Sequence, residues 1–116
     1  EAVSNHIDVA ECAVIGVLDN LKGQVPLGLV CLNNGCNKPD EVICKEIIDL
    51  VRTEIGPVAA FKSVAVVSAL PKTRSGKILR ATIRKIADNV DWEMPATVDN
   101  PLVFGEIKKA IKPLGY

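Results

Sequence analysis

A small α+β domain, a three-stranded sheet core with helices packed against it, is what this 116-residue sequence predicts. Three observations carry the prediction. Residues 9–18, 24–32 and 63–70 are short apolar runs bounded by turn-forming residues, the pattern of strands. Residues 39–55 and 78–89 place their apolar side chains at helical spacing. The composition, 48% hydrophobic and 24% charged, is that of one globular domain spanning 1–116 and excludes a disordered tail.

The elements follow in order. Residues 1–6 read as the last turn of a helix. Residues 9–18 (VAECAVIGVL) are apolar on both parities, so a strand buried on both faces is expected. Residues 19–23 form a turn by composition. The strand over 24–32 contains Pro26, which lacks a ladder donor and belongs at an edge or near the strand start. Residues 33–37 are a loop. Pro39 suits a first helical turn, and Asp40 and Glu41 sit where the helix dipole favours anions. Ile43, Ile47, Leu50 and Val51 make that helix's core-facing stripe, and Gly56-Pro57 ends it. A third strand spans 63–70 and a loop 71–76. Leu79, Ile83, Ile86 and Ala87 share one face of the helix over 78–89. Residues 89–101 read as irregular, and 104–111 as a short terminal helix.

Several function classes drop out. Fourteen basic and fourteen acidic residues balance, and only Phe61, Trp92, Phe104 and Tyr116 are aromatic, so a nucleic-acid surface is not expected. No apolar run has the length of about 18 residues needed to cross a membrane. Cys12, Cys31, Cys36 and Cys44 contain no C-x-x-C and are joined by one histidine, His6, so a structural zinc site is not expected. Reduced thiols are the reading, with Cys12 and Cys44 as small hydrophobes. The chain begins with Glu1, which suggests a piece of a larger protein.

Charge is balanced overall but not locally. Lys72, Arg74, Lys77, Arg80, Arg84 and Lys85 fall within residues 72–85, where no acid occurs. Residues 72–77 (KTRSGK) form a polar loop feeding a helix, with Lys77 expected at the helix entrance. A phosphate-cradling G-x-x-x-x-G-K-[ST] loop is excluded, because Pro71 and Ile78 occupy two required positions. A solvated basic face, a nucleic-acid contact and an anion site for a phosphorylated ligand all remain compatible with the charge run alone.

Residues 70–80 (LPKTRSGKILR) narrow this. They resemble the C-terminal signature of the acyl-adenylate-forming synthetases, P-K-T-x-x-G-K followed by an apolar residue and Arg. The Arg-Ser pair before Gly76 is similar to the short-chain branch, the acetyl- and propionyl-CoA synthetases. The runs AVIGV at 13–17, KGQ at 22–24 and VRTEIGP at 51–57 fall in that family's order. Residues 55–61 (IGPVAAF) look closer to propionate-preferring, mitochondrial-type members. The resemblance covers residues 1–89 and, more weakly, the remainder.

The resemblance implies the mobile C-terminal domain of an adenylate-forming enzyme, whose partner is its own large N-terminal AMP-binding domain, absent from this chain. The implied reaction uses ATP, magnesium and coenzyme A. A short-chain carboxylate attacks the α-phosphorus of ATP, and the thiol of coenzyme A then attacks the acyl adenylate. Lys77 matches the adenylation lysine, with Ser75 and Gly76 shaping its loop. Lys72, Thr73 and Arg74 shape the loop, meet phosphate or form a solvent-facing turn. Arg52 matches an arginine that contacts the phosphate of the adenosine end of coenzyme A; the alternative is an exposed helix-end arginine. His6 and Val9 match two magnesium-associated positions, acting through main-chain oxygens, with Ser4 where the pattern has valine; otherwise His6 is a surface residue. The resemblance also implies a rotation between half-reactions, a second working face that includes parts of residues 16–23, and control by acylation of Lys77. The fragment alone is expected to be inactive, in a cytoplasmic or mitochondrial-matrix protein. A free-standing module binding a phosphorylated ligand or partner through residues 72–85 is the competing reading.

Overall fold

The computed structural model describes residues 3–19, 23–56 and 61–116. Strands β1 (Val9–Asp19), β2 (Gly23–Leu32) and β3 (Ser63–Val66) form a sheet in the order β1-β2-β3. β1 and β2 are antiparallel, whereas β2 and β3 are parallel. Parallel neighbours need a crossover, and helix α1 (Asp40–Ile55) supplies it. Helices α2 (Arg80–Ala87) and α3 (Leu102–Ile111) follow β3, and 3-10 turns cover Val3–Asn5 and Lys112–Leu114.

The sheet is sandwiched. On one face Ile43, Ile47 and Val51 of α1 pack with Val30, Phe61 and Val64. On the other, Ala13, Ile15, Val17, Leu27 and Leu29 meet the buried faces of α2 and α3. Each fully buried aliphatic side chain contributes about 1.5–3 kcal/mol, so the two faces of β2 anchor both helical layers. α1 starts at Pro39, carries Asp40 and Glu41 in its first turn, and stops at Gly56, whose φ of 112° suits a residue without Cβ.

Pro26 pairs with Gly16 in the central strand, one residue before the first β3 pair, Leu27 with Ser63. The β3 ladder thus begins only after the residue that has no N–H. Gly28 meets the opposite constraint. A Cβ there would stand 2.8 Å from Cζ of the Phe61 ring. The aromatic ring covers the bare backbone and closes the α1 face of the sheet. Gly28→Val is expected to cost about 1–3 kcal/mol by displacing Phe61. Urea unfolding checks this: an unchanged midpoint would mean that the ring moves aside without cost.

Five expectations are corrected. β1 is not buried on both faces: Ala13, Ile15 and Val17 are, but Val14 is 39% and Leu18 61% exposed. As an edge strand it has a layer on only part of its second face. Its free edge is protected by α2, since Arg80 Nη1 donates to the Val14 carbonyl (3.3 Å) and the Leu18 N–H donates to Asp88 Oδ1 (2.8 Å). β3 stops at Val66, short of residue 70, because Ser68 turns the chain toward Glu106. The second helix begins at Arg80 rather than residue 78, because Ile78 is held extended by a bridge to Lys72. The terminal helix begins at Leu102, two residues earlier than expected. The N-terminal segment is a 3-10 turn rather than an α-helical end. The turn over 19–23 and the run 55–61 lie partly outside the described residues.

Candidate functional site

The site is built at the end of the sheet where β3 finishes and β1 begins. Beyond Leu70 the chain makes a tight hairpin, with Lys72 bridged to Ile78. Lys77 is therefore not at a helix entrance; it sits on the return arm, three residues before α2. The expected conflict with the helix dipole disappears with that placement.

Thr73 closes the hairpin onto Lys77. The Thr73 N–H donates to the Lys77 carbonyl at 2.8 Å, and the Lys77 N–H donates to Thr73 Oγ1 at 3.1 Å. The Gly76 N–H donates to the Thr73 carbonyl at 2.9 Å. Thr73 and Ser75 share a hydroxyl hydrogen bond of 2.9 Å. Gly76 has φ of 93°, where a side chain would be strained. Both main-chain polar groups of Lys77 are thus engaged. Its side chain is exposed, and its ammonium makes no hydrogen bond or ion pair among the described residues. The result is a fixed backbone presenting an uncommitted cation.

The other basic residues divide by use. Lys72 forms an ion pair with Glu11 of β1, which holds the hairpin to the sheet. Arg80 serves the β1 edge. Arg74, Arg84 and Lys85 are exposed. Thr73 was legible only as one of three alternatives. A hydroxyl residue four positions before Lys77, able to compete for its N–H, was the available signal.

Arg52 stands apart. It lies exposed in the last turn of α1, and its guanidinium is without a partner among the described residues. α1 leaves the end of β2 and returns to the start of β3, and those strands are parallel. Its last turn is thus at the opposite end of the sheet from the Lys77 hairpin. Gly16, the end of β1 at Asp19 and the start of β2 at Gly23 share the Arg52 end; residues 20–22 lie outside the described residues. The structure accordingly separates Lys77 from Arg52.

His6 is buried and fully engaged. Its Nδ1 accepts the Asp8 N–H at 3.1 Å, which leaves Nε2 as the donor to Glu46 Oε1, 2.8 Å away. Lys38 Nζ lies 3.1 Å from the same Glu46 oxygen and 3.5 Å from Asp8 Oδ2. His6 and Lys38 hold the Glu46 carboxyl below its ordinary value of 4.5. His6, Asp8 and Glu46 bring ligand-type atoms within 4.8 Å of one another. These side chains do not fit a metal site, because the Lys38 ammonium already stands between the two carboxylates as their cation and His6 Nε2 is committed to Glu46. For the magnesium expected at His6 and Val9, only main-chain oxygens remain, and the His6 carbonyl accepts the Val9 N–H at 3.1 Å.

Two thiols are chemically quiet. Burial, with Glu11 adding to it, pushes Cys31 up to about 11. Burial also raises Cys44, whose Sγ–H donates to the Val64 carbonyl at 3.3 Å. Neither supplies a thiolate near neutral pH.

The fold that positions the site is a mixed three-stranded sheet carrying a pinned lysine hairpin. Comparison with known proteins gives the family. Residues 1–77 match the model of the AMP-binding enzyme C-terminal domain, and the chain belongs to that family. An uncharacterized protein of Pseudomonas aeruginosa is 54% identical over 97% of this chain and 18% of its own length. The mouse mitochondrial acyl-CoA synthetase short-chain family member 3 is 44% identical over 97% of this chain and 16% of its own. A Brucella canis acyl-CoA synthetase superposes with a TM-score of 0.65 at 33% identity, over 72% of this chain and 15% of its own. The chain thus spans under a fifth of the length of these relatives. Among the described residues no helix is long and apolar enough to cross a membrane.

Proposed function

We propose that this chain is the catalytic lid of an AMP-forming short-chain acyl-CoA synthetase, acting on propionate or acetate together with its own N-terminal AMP-binding domain. The observation that carries the reading is Lys77: a backbone locked by Thr73 and Gly76, and an ammonium with no partner among the described residues. The small share of each relative's length that matches supports a lid of a larger enzyme over a free-standing binding module.

In the first half-reaction an anionic carboxylate approaches the α-phosphate of ATP. A compact cation between the two lowers the repulsion and orients the pair. Lysine suits this role, since its charge is concentrated at the tip of a long stem. Gly76 and Ser75 keep the hairpin narrow, so that the stem projects from a fixed base. Magnesium, when bound with ATP, would supply charge neutralisation on the phosphates; no step here depends on where it sits.

In the second half-reaction the lid turns and presents another surface. Arg52 and the β1–β2 end supply it, with the guanidinium meeting the phosphate at the adenosine end of coenzyme A. Placement of Lys77 and Arg52 at opposite ends of the sheet supports such an alternation, because one orientation cannot serve both. Acylation of Lys77 would remove its charge and stop the first step only. The compartment is the cytoplasm or the mitochondrial matrix, and the isolated lid is inactive.

The test uses the full-length protein, propionate and acetate, and Arg52→Ala. The KM for coenzyme A is expected to rise about tenfold, the loss of one charge-assisted contact, with pyrophosphate–ATP exchange unchanged. Loss of exchange in this variant, or no exchange with either acid, would contradict the assignment.

A further inference from the structure

Residues 95–106 lie beyond the stretch that matches the family model, which ends at residue 77. Sequence reading treats most of them as irregular. In the structure they are laid against the lysine hairpin. Val98 forms a single antiparallel bridge with Thr73. The Arg74 N–H donates to the Thr97 carbonyl at 3.1 Å, and the Asp99 N–H donates to the Lys72 carbonyl at 2.8 Å. Val98 itself is buried in the core shared by Leu70, Ile83, Val103 and Ile107. The hairpin's first arm is therefore hydrogen-bonded on both sides: to the Lys77 arm and to residues 97–99.

The approach to the hairpin is held as well. Glu106, on α3, accepts the Ser68 hydroxyl at 2.6 Å through Oε2 and the Ser68 N–H through Oε1. Ser68 stands where the chain leaves the sheet, four residues before Lys72. One carboxylate thus fixes the point from which the hairpin departs. A two-stranded hairpin alone is marginal in water, and the hydrogen-bonded segment 97–99 together with the packed α3 supplies the support it lacks.

We propose that this C-terminal segment positions Lys77 for adenylation, with Glu106 as the positioning residue. The proposal rests on reading Lys77 as the adenylation lysine. Glu106 touches no reacting atom; it acts by fixing Ser68. Residues 97–99 act by bracing Lys72, Thr73 and Arg74. A displacement on the order of 1 Å at a reacting group can cost about a hundredfold in rate, so a loosened base should appear in the step that uses the lysine.

The experiment compares Glu106→Ala, Glu106→Gln and Lys77→Ala in the full-length protein. Pyrophosphate–ATP exchange is followed beside thioester formation from supplied propionyl adenylate. The expected result is an exchange rate about tenfold lower for Glu106→Ala, in kcat rather than in the KM for ATP, with thioester formation unchanged. Glu106→Gln keeps an acceptor for the Ser68 N–H and should restore most of the loss. Amide hydrogen exchange should quicken over residues 68–79 of Glu106→Ala while α1 stays protected. An unchanged exchange rate in Glu106→Ala, with Lys77→Ala inactive, overturns the positioning role alone. Equal loss of both half-reactions makes Glu106 merely structural and overturns it too. Full exchange in Lys77→Ala removes the reading on which the proposal rests.

Discussion

Lys77→Ala, made in the full-length protein, should lower pyrophosphate–ATP exchange by about 10²–10³-fold, the usual consequence of removing one preorganised charge from a developing anionic centre. The fold should survive the change. Lys77 is exposed, and the groups that hold its hairpin are main-chain atoms, the Thr73 hydroxyl and Gly76. Alanine keeps both Lys77 hydrogen bonds to Thr73, so only the ammonium is lost. Lys77→Arg should not rescue fully. A planar guanidinium spreads its charge and binds in a fork, whereas the reading requires a point charge at the meeting of phosphate and carboxylate. A variant retaining exchange within about twofold of the parent would leave Lys77 as a solvated residue of the hairpin, since surface changes usually do little.

Ile47→Ala should give the largest loss of stability, about 2–5 kcal/mol. Ile47 is fully buried, in the middle of the α1 face that covers Val30, Val64 and Phe61. Truncation leaves a cavity between helix and sheet, and domains of this size have only about 5–15 kcal/mol in total. Ile55→Ala, in the same helix but 60% exposed, is the control and should stay within about 0.5 kcal/mol. Denaturant midpoints at constant slope decide it. Equal effects at the two positions would mean that the α1 layer does not hold the sheet as described.

Much of this architecture was legible. Short apolar runs and period-3.6 apolar patterns found three strands and three helices, and of the α1 stripe Ile43, Ile47 and Val51 are buried as expected while Leu50 is half-buried. What failed has physical reasons. Apolar residues on both parities of β1 suggested burial on both faces, yet an edge strand can expose Val14 and Leu18 while a neighbouring helix guards its polar edge. Ile78 and Leu79 fit a helical face by spacing alone, but the bridge to Lys72 holds Ile78 extended. Val98 offered a single apolar side chain in a polar stretch, and a one-residue bridge has no period to detect.

The candidate site was legible in part. Lys77, Ser75 and Gly76 were picked out by their motif, and the positive φ of Gly76 agrees with a shaping role. The reciprocal Thr73–Lys77 hydrogen bonds were not readable, because they depend on the hairpin closing at one register. The Glu106–Ser68 contact joins residues 38 apart in sequence, and nothing local marks either as its partner. His6 was read through its main chain, while its ring proves to be held between Asp8 and Glu46. Arg52 was placed on a polar helix face; its position at the far end of the sheet follows only from β2 and β3 being parallel.

The most direct measurement of the central claim, that one lid serves two half-reactions through two surfaces, supplies preformed propionyl adenylate and coenzyme A to full-length Lys77→Ala and follows thioester formation. A rate equal to the parent's, in a variant that no longer adenylates, is the predicted result. A rate lost in proportion to the exchange reaction would contradict the account, because Lys77 would then belong to both steps and the separation of Lys77 from Arg52 would have no catalytic meaning.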